Sequence, residues 1–258
     1  MAVSRPRRPR TRATWDNAEL YDRFMGKFSA VLAPQMAELA GVSPAQRALD
    51  VGCGPGALAG ELARRLGPEA VTAIDPSEAF IAACVERNPG VSAHRGVAEA
   101  LPFPDDTFDV TAAQLVVNFM KDPEAGLAEM VRVTRPGGVI VACDWFHWSG
   151  APHGPFFHAA RLLKNRRSRA MWLKRPGLIF QELGLVGIEE TTLRACVTYE
   201  SFEEWWAAST EGVGTSAGYA KKLDPEARAE LRDLCRAELP EAPFTIEAGA
   251  RAVRAVVP

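Results

Sequence analysis

The stretch Ala48-Leu49-Asp50-Val51-Gly52-Cys53-Gly54-Pro55-Gly56-Ala57 decides the fold of this chain. It runs from a short apolar strand through glycines 52, 54 and 56 into a helix that carries Leu58, Leu62 and Leu66 on one stripe. Glycines permit positive φ and let the backbone approach a ligand closely, while the following helix offers free N–H groups. The pattern predicts a nucleotide-like ligand with a carboxylate or phosphate, held at the carboxyl ends of parallel strands.

Outward from this loop, short apolar strands alternate with amphipathic helices, the signature of a parallel sheet covered on both faces. Residues 70–74 form a second strand ending at Asp75-Pro76, and Ser77 caps a helix with Phe80, Ala83 and Cys84 inward. A short strand over 91–94 follows, then an irregular stretch where Pro102 and Pro104 forbid helix. Residues 108–117 read as a long central strand, and Asp122-Pro123-Glu124 opens a helix burying Leu127, Met130 and Val131. Arg135-Pro136-Gly137-Gly138 is a turn into the strand 139–143. Upstream, residues 15–40 read as two helices stopped by Gly41.

The alternation stops at Asp144. Residues 145–175, rich in aromatics, histidine and base, read as a helical lid insertion; 176–258 then complete the sheet, with strands at 187–199 and 244–257. Between those strands lies a helical excursion over 201–239, whose glycines 212, 214 and 218 suggest a mobile loop. The expected organisation is an arm at 1–12 and one domain over 13–258, made of N-terminal helices (13–41), core (42–144), insertion and sheet completion.

A chain of 258 residues, 47% hydrophobic and 24% charged, has room for one large α/β domain with a full core. Its net charge of −2 supplies no field toward nucleic acid or an anionic membrane, and no apolar run approaches the ~20 residues of a membrane helix. The cysteines (53, 84, 143, 196 and 235) are scattered, odd in number and without a C-x-x-C pair. That argues against a disulfide framework or a metal site and fits a cytoplasmic protein. Residues 1–12 hold five arginines and two prolines but no apolar stretch, so they read as a disordered, solvated arm.

Two ligands compete for the glycine loop. Gly52, Gly54 and Ala57 satisfy the dinucleotide fingerprint, and Asp75 lies at the distance that holds ribose hydroxyls. Three details favour S-adenosylmethionine: Asp50 sits before the first glycine, where it can answer an ammonium, Pro55 removes an N–H that a pyrophosphate would want, and Gly56 supplies a third glycine. Four blocks in order then carry a resemblance: Leu49-Asp50-Val51-Gly52-Cys53-Gly54-Pro55-Gly56, Ile74-Asp75-Pro76-Ser77, Gly96-Val97-Ala98-Glu99-Ala100-Leu101-Pro102-Phe103-Pro104 and Arg132-Val133-Thr134-Arg135-Pro136-Gly137-Gly138. Residues 46–145 resemble class I S-adenosylmethionine-dependent methyltransferases, in the group that includes ubiquinone/menaquinone and other small-molecule enzymes. That resemblance implies an α/β, Rossmann-like fold with a seven-stranded, mostly parallel sheet.

By the same resemblance, Asp50, Gly52, Cys53, Gly54 and Gly56 hold the aminoacid end of the cofactor and Asp75 its ribose, with Pro76 and Ser77 flanking the adenine. Ala98 offers a backbone N–H to the adenine, and Gln114 meets the methionyl ammonium. Relatives place an acid where this chain has Val97, so Glu99 is the candidate substitute. Tyr21-Asp22 resembles the family's Y-D element, with Tyr21 closing over the cofactor.

Methyl transfer from a sulfonium needs proximity, alignment and water exclusion, and a base only if the acceptor must lose a proton. Asn118, Trp145, Trp148, His153 and His158 are the acceptor-side candidates, and His147 is the candidate base. The basic run from Arg161 to Arg175 reads as a solvated helix face rather than a grip on RNA. An RNA methyltransferase and a non-catalytic S-adenosylmethionine-binding protein are the alternatives. Gln114-Leu115-Val116-Val117 stands where RNA enzymes carry an N/D-P-P-Y/F block, so the expected partner is a small-molecule acceptor, with oligomeric state open.

Overall fold

A computed structural model of the chain describes residues 17–146, 150–163 and 176–258. Seven strands form one sheet: β1 (Ala48–Val51), β2 (Val71–Asp75), β3 (Ser92–Arg95), β4 (Phe108–Gln114), β5 (Thr134–Trp145), β6 (Val186–Tyr199) and β7 (Phe244–Val256). Their order is β3-β2-β1-β4-β5-β7-β6, parallel from β3 to β5, with β7 antiparallel to both its neighbours. The chain builds outward from β1 to β3 and then returns to the other side with β4. The topological switch point therefore falls between β1 and β4, where open α/β sheets bind ligands.

The expected strands are all present, with shifted ends. β4 stops at Gln114 rather than 117, because Leu115 adopts φ 61 after its N–H bonds Cys143 O at 2.9 Å. A 3₁₀ turn over Val117–Phe119 follows. β5 reaches back through Arg135-Pro136-Gly137-Gly138, because Gly137 N donates to Val257 O at 2.8 Å and draws that turn into the sheet.

The N-terminal segment is one rod rather than two helices: α1 (Ala18–Tyr21), a π-helical turn (Asp22–Gly26) and α2 (Lys27–Ala40). Asn17 Oδ1 caps its start from Leu20 N at 2.9 Å, and Gly41 ends it at φ 65. π turns are rare and concentrate at functional sites. Here the turn is tied to α4 (Glu78–Arg87) by Arg87 to Asp22 at 2.6 Å.

Alternation within the strands sends side chains to two cores. Phe28, Leu32 and Met36 of α2 pack with Val110, Ala112, Val141 and Cys143 on one face. Leu49, Val51, Ile140 and Ala142 face the other, against Leu127 and Met130 of α5 (Pro123–Val133) and Ile179 and Phe180 of α7 (Pro176–Glu182). Asp122 Oδ1 caps α5 from the Glu124 and Ala125 amides, as its sequence predicts. Between β1 and β2 lies α3 (Ala57–Leu66), and after β5 comes α6 (Gly154–Leu163).

Between β6 and β7 the chain forms α8 (Phe202–Glu211), α9 (Thr215–Ala220) and α10 (Pro225–Glu238). The glycines read as a mobile loop have other jobs: Gly212 and Gly214 flank the two shorter helices, and Gly218 lies inside α9. No helix among the described residues is long and apolar enough to cross a membrane.

Candidate functional site

A small cleft lies at the carboxyl ends of β1 and β4, under the N-terminal rod, lined by Tyr21, Ser29, Asp50, Gly52, Cys53 and Gln114 among others. Its floor is the glycine loop. Gly52, Gly54 and Gly56 have φ of 71, 54 and 95, a conformation L side chains rarely adopt. A Cβ at Gly52 would overlap the Val116 side chain, and one at Gly56 would overlap Asn88 Nδ2. Asn88 Nδ2 also bonds Gly56 O and Cys84 O, each at 3.1 Å, which fastens the loop to the end of α4.

The charge pattern of the cleft is one-sided. Asp50 is 1% exposed, and neither carboxylate oxygen has a donor in hydrogen-bond geometry. Burial pushes its carboxyl well above the ordinary range, with Cys84 and Asp75 adding repulsion, while the Ala59 N–H, outside hydrogen-bond geometry, offsets only part. Gln114 donates from Nε2 to Ser29 O at 3.1 Å, which leaves its buried Oε1 without a donor. Tyr21 shares a 2.8 Å bond with Ser29 Oγ, and burial raises its hydroxyl to about 12. Three buried acceptor atoms thus converge on one opening. A ligand group with several N–H donors and a positive charge answers all of them.

Asp75 closes the other end of the loop. Its Oδ2 accepts from Gly54 N at 3.0 Å and its Oδ1 from Ser77 N at 2.8 Å, so each oxygen keeps a further lone pair for a hydroxyl. Burial raises its carboxyl, against those two amides. Ser77 Oγ caps α4 from Phe80 N at 3.4 Å, and Pro76 lies exposed beside it. Val97 is 43% exposed. Ala98 packs against α5, its Cβ 3.3 Å from where a Cβ on Gly126 would stand. Glu99 Oε1 accepts from the Lys121 and Asp122 amides, the latter at 3.1 Å, and so anchors the approach to α5.

Among the residues that the sequence assigns to the acceptor, Trp145 at the end of β5 meets Phe28 edge-on, ring centroids 5.9 Å apart. His153 lies between Phe24 and Phe157, with centroids at 5.7 and 5.6 Å, and burial lowers its imidazole to about 4. It is therefore neutral at physiological pH. His158 turns outward instead, with Nδ1 2.9 Å from Glu238 of α10. His147 and Trp148 lie outside the described residues, as do the arm at 1–12 and the basic run from Lys164 to Arg175. No cluster of metal-ligating side chains occurs among the described residues.

Ser29, Asn88 and Asp144 matter here and were not singled out from the sequence. Ser29 interrupts an apolar helix stripe, Gly56 and Gly60 four apart mark a close approach to α3, and Asp144 ends an otherwise apolar strand. Asp144 is 8% exposed on the α5 face of β5. Burial raises its carboxyl to about 7, against hydrogen bonds from the backbone and side chain of Asn118 and the charge of Arg251. Asn118, placed by sequence at the acceptor mouth, thereby ties the end of β4 to β5.

A carboxyl raised in the folded state makes folding take up a proton. Its contribution to stability is fully present below the unfolded value of about 4 and is lost as pH rises through about 7. Asp144→Asn should therefore flatten the fall in unfolding free energy between pH 4 and 8, by up to ~4 kcal/mol at the alkaline end. Denaturant titrations across that range decide it, and an unchanged slope overturns the assignment.

Comparison with known proteins agrees with this geometry. Residues 49–142 match the sequence pattern of a family described as a methyltransferase domain. The chain is 41% identical over 101 residues to phthiotriol/phenolphthiotriol dimycocerosates methyltransferase 1 of Mycobacterium ulcerans, covering 38% of this chain and 37% of that protein. It is 36% identical over 116 residues to demethylmenaquinone methyltransferase of Renibacterium salmoninarum, covering 45% and 47% respectively. In each case the match spans less than half the length of the curated relative. The crystal structure of the YcgJ protein from Bacillus subtilis shares the fold, with a TM-score of 0.57 at 18% identity over 87% of this chain and 97% of that one. Sheet order, glycine loop and matched segment converge: residues 49–142 match a methyltransferase domain, set within a sheet whose fold is shared with the YcgJ protein.

Proposed function

We propose that this chain transfers a methyl group from S-adenosylmethionine to a small-molecule acceptor. The observation that carries the reading is the set of three donorless acceptor atoms, Asp50 Oδ1 and Oδ2 and Gln114 Oε1, buried around one cleft. A dinucleotide pyrophosphate would bring more negative charge to that place; an aminoacid ammonium brings the missing donors. The cofactor, when bound, supplies a methyl group already activated on a sulfonium.

Asp50 and Gln114 then orient the ammonium, and Gly52, Cys53, Gly54 and Gly56 let the backbone close on the aminoacid end. Asp75 accepts from the ribose hydroxyls. The adenine rests beside Pro76 and Ser77 against Val97, with the Ala98 N–H as its polar contact and Glu99 in a supporting place. Tyr21 covers the cleft and excludes water. The acceptor lies beyond β4 and β5, under the insertion 145–175, with Asn118, Trp145, Trp148 and His153 on its walls and His147 as the base where a proton must leave. Ring contacts from Trp145 through Phe28 and Phe24 to His153 make that region aromatic, which favours a partly aromatic or apolar acceptor. The names of the two relatives support an acceptor of small-molecule class. Five free thiols fit a cytoplasmic setting.

Thermal denaturation with S-adenosylmethionine, S-adenosylhomocysteine or NADH tests this directly. The first two should raise the melting temperature and NADH should not, because a ligand that binds only the folded state stabilises it. Asp75→Ala should abolish the response. A shift with NADH alone sinks the reading, and unchanged affinity in the variant places the ribose elsewhere.

A further inference from the structure

The stretch that the proposed function sets against the adenine leaves β3 at Arg95 and joins β4 only at Phe108. It lies outside the sheet, and Pro102 and Pro104 carry no N–H for a strand ladder. An ion pair on α5 holds it instead: Arg132 Nε meets Glu129 Oε1 at 2.7 Å. Glu129 Oε2 accepts from Leu101 N at 2.9 Å, and Arg132 Nη2 donates to Leu101 O at 2.9 Å. Both backbone groups of the buried Leu101 are thus met as a neighbouring strand would meet them, but by side chains. The same guanidinium donates from Nη1 to Phe103 O at 2.8 Å and to Asp105 Oδ1 at 2.7 Å. Its own carbonyl accepts from Asp106 N at 3.1 Å. A turn closed by Ala100 N to Val97 O, at 3.3 Å, joins Val97 and Ala98 directly onto this clamp.

We propose that Arg132, braced by Glu129, is the positioning residue for the adenine end of the methyl-donor site. Its forked guanidinium fixes the carbonyls of Leu101 and Phe103, and so sets where Val97 and Ala98 stand. The inference rests on the proposed function and deepens it. Arg132 acts through the loop and is not itself a wall of the cleft. A planar guanidinium with five donors serves two carbonyls and two carboxylates at once; a lysine ammonium, a point charge with three donors, does not reach all four. Leaving a buried backbone group unmet is costly, so the loop keeps its shape only while the fork is in place.

Calorimetry on the full chain tests this with S-adenosylhomocysteine and with 5′-methylthioadenosine, which has the same nucleoside without the aminoacid end. Arg132→Met should weaken both ligands by one common factor, about tenfold, because the loss sits at the end they share. Arg132→Lys keeps the charge and loses the fork. It should show the same loss, and it serves alone if the methionine variant does not fold. Hydrogen exchange should quicken over residues 97–106 and keep its wild-type rate over the glycine loop, 52–57. A larger loss for S-adenosylhomocysteine than for methylthioadenosine, or quickened exchange in the glycine loop, would mean a general loosening and overturn the inference. Full affinity in Arg132→Lys would overturn it too. Wild type that binds S-adenosylhomocysteine but not methylthioadenosine would overturn it and leave the functional reading standing. If the wild type binds neither, the functional reading itself falls and takes the inference with it.

Discussion

Asp50→Asn is expected to lower affinity for S-adenosylhomocysteine at least ~100-fold while raising the melting temperature of the ligand-free protein. The two effects have one cause. The Asp50 carboxylate is enclosed without a donor, so the free protein bears its desolvation, and only a bound ammonium turns it into a favourable pair. Asparagine removes the charge at nearly constant volume. The free protein gains stability and the complex loses its strongest polar contact, a trade-off common where binding residues carry strain.

The sign of the pH dependence follows. A carboxyl raised in the folded state supports stability below the unfolded value near 4 and withdraws that support as pH rises through its raised folded value. Ligand affinity runs the opposite way, because binding needs the ionised form and must expel a proton at lower pH. Isothermal titration of wild type and variant between pH 5 and 9 reads both. Affinity unchanged by the substitution would remove Asp50 from the ammonium site.

Gly52→Ala should be the most damaging change in the loop for the fold itself. Its φ of 71 strains any L side chain, and the new Cβ would overlap Val116 Cγ2 and lie 2.7 Å from Val116 Cβ. Strain and overlap together amount to about 3 kcal/mol. For a domain of this size that is a fall in melting temperature of roughly 6–12 °C. Gly54→Ala is the control. It has a similar φ, 54, but its Cβ would find only Phe80 Cδ2, 4.0 Å away. It should cost only about 1 kcal/mol. Equal losses in the two variants would show that conformation, and not contact with Val116, governs the loop.

The sheet and the loop were legible because each is written locally. Alternation gave the strands, Asp122-Pro123-Glu124 and Ser77 marked helix starts, and Asp50 with the glycines marked the ligand end of β1. What was not legible depends on partners distant in sequence. The end of β4 is set by Leu115 bonding Cys143, and β5 is lengthened by Gly137 bonding Val257. Neither contact has a local signal.

The site divides in the same way. Asp75 stands at a strand end that periodicity locates, whereas Gln114 ends its strand only through the Leu115 bond, and Ser29 becomes part of the cleft only because the N-terminal rod crosses it. The partners of Glu99, the Lys121 and Asp122 amides, lie more than twenty residues away and have no local signal.

Asn88 has a consequence for how such a chain can evolve. Its amide occupies the space that side chains at Gly56 and Gly60 would need, and it bonds Gly56 O in return. Those positions form one steric unit, although twenty-eight residues separate Asn88 from Gly60. A lineage that enlarges residue 60 must first shrink residue 88, and then the loop needs another fastening. Drift at these sites is therefore expected to be correlated, with the order of substitutions constrained by space before it is constrained by chemistry.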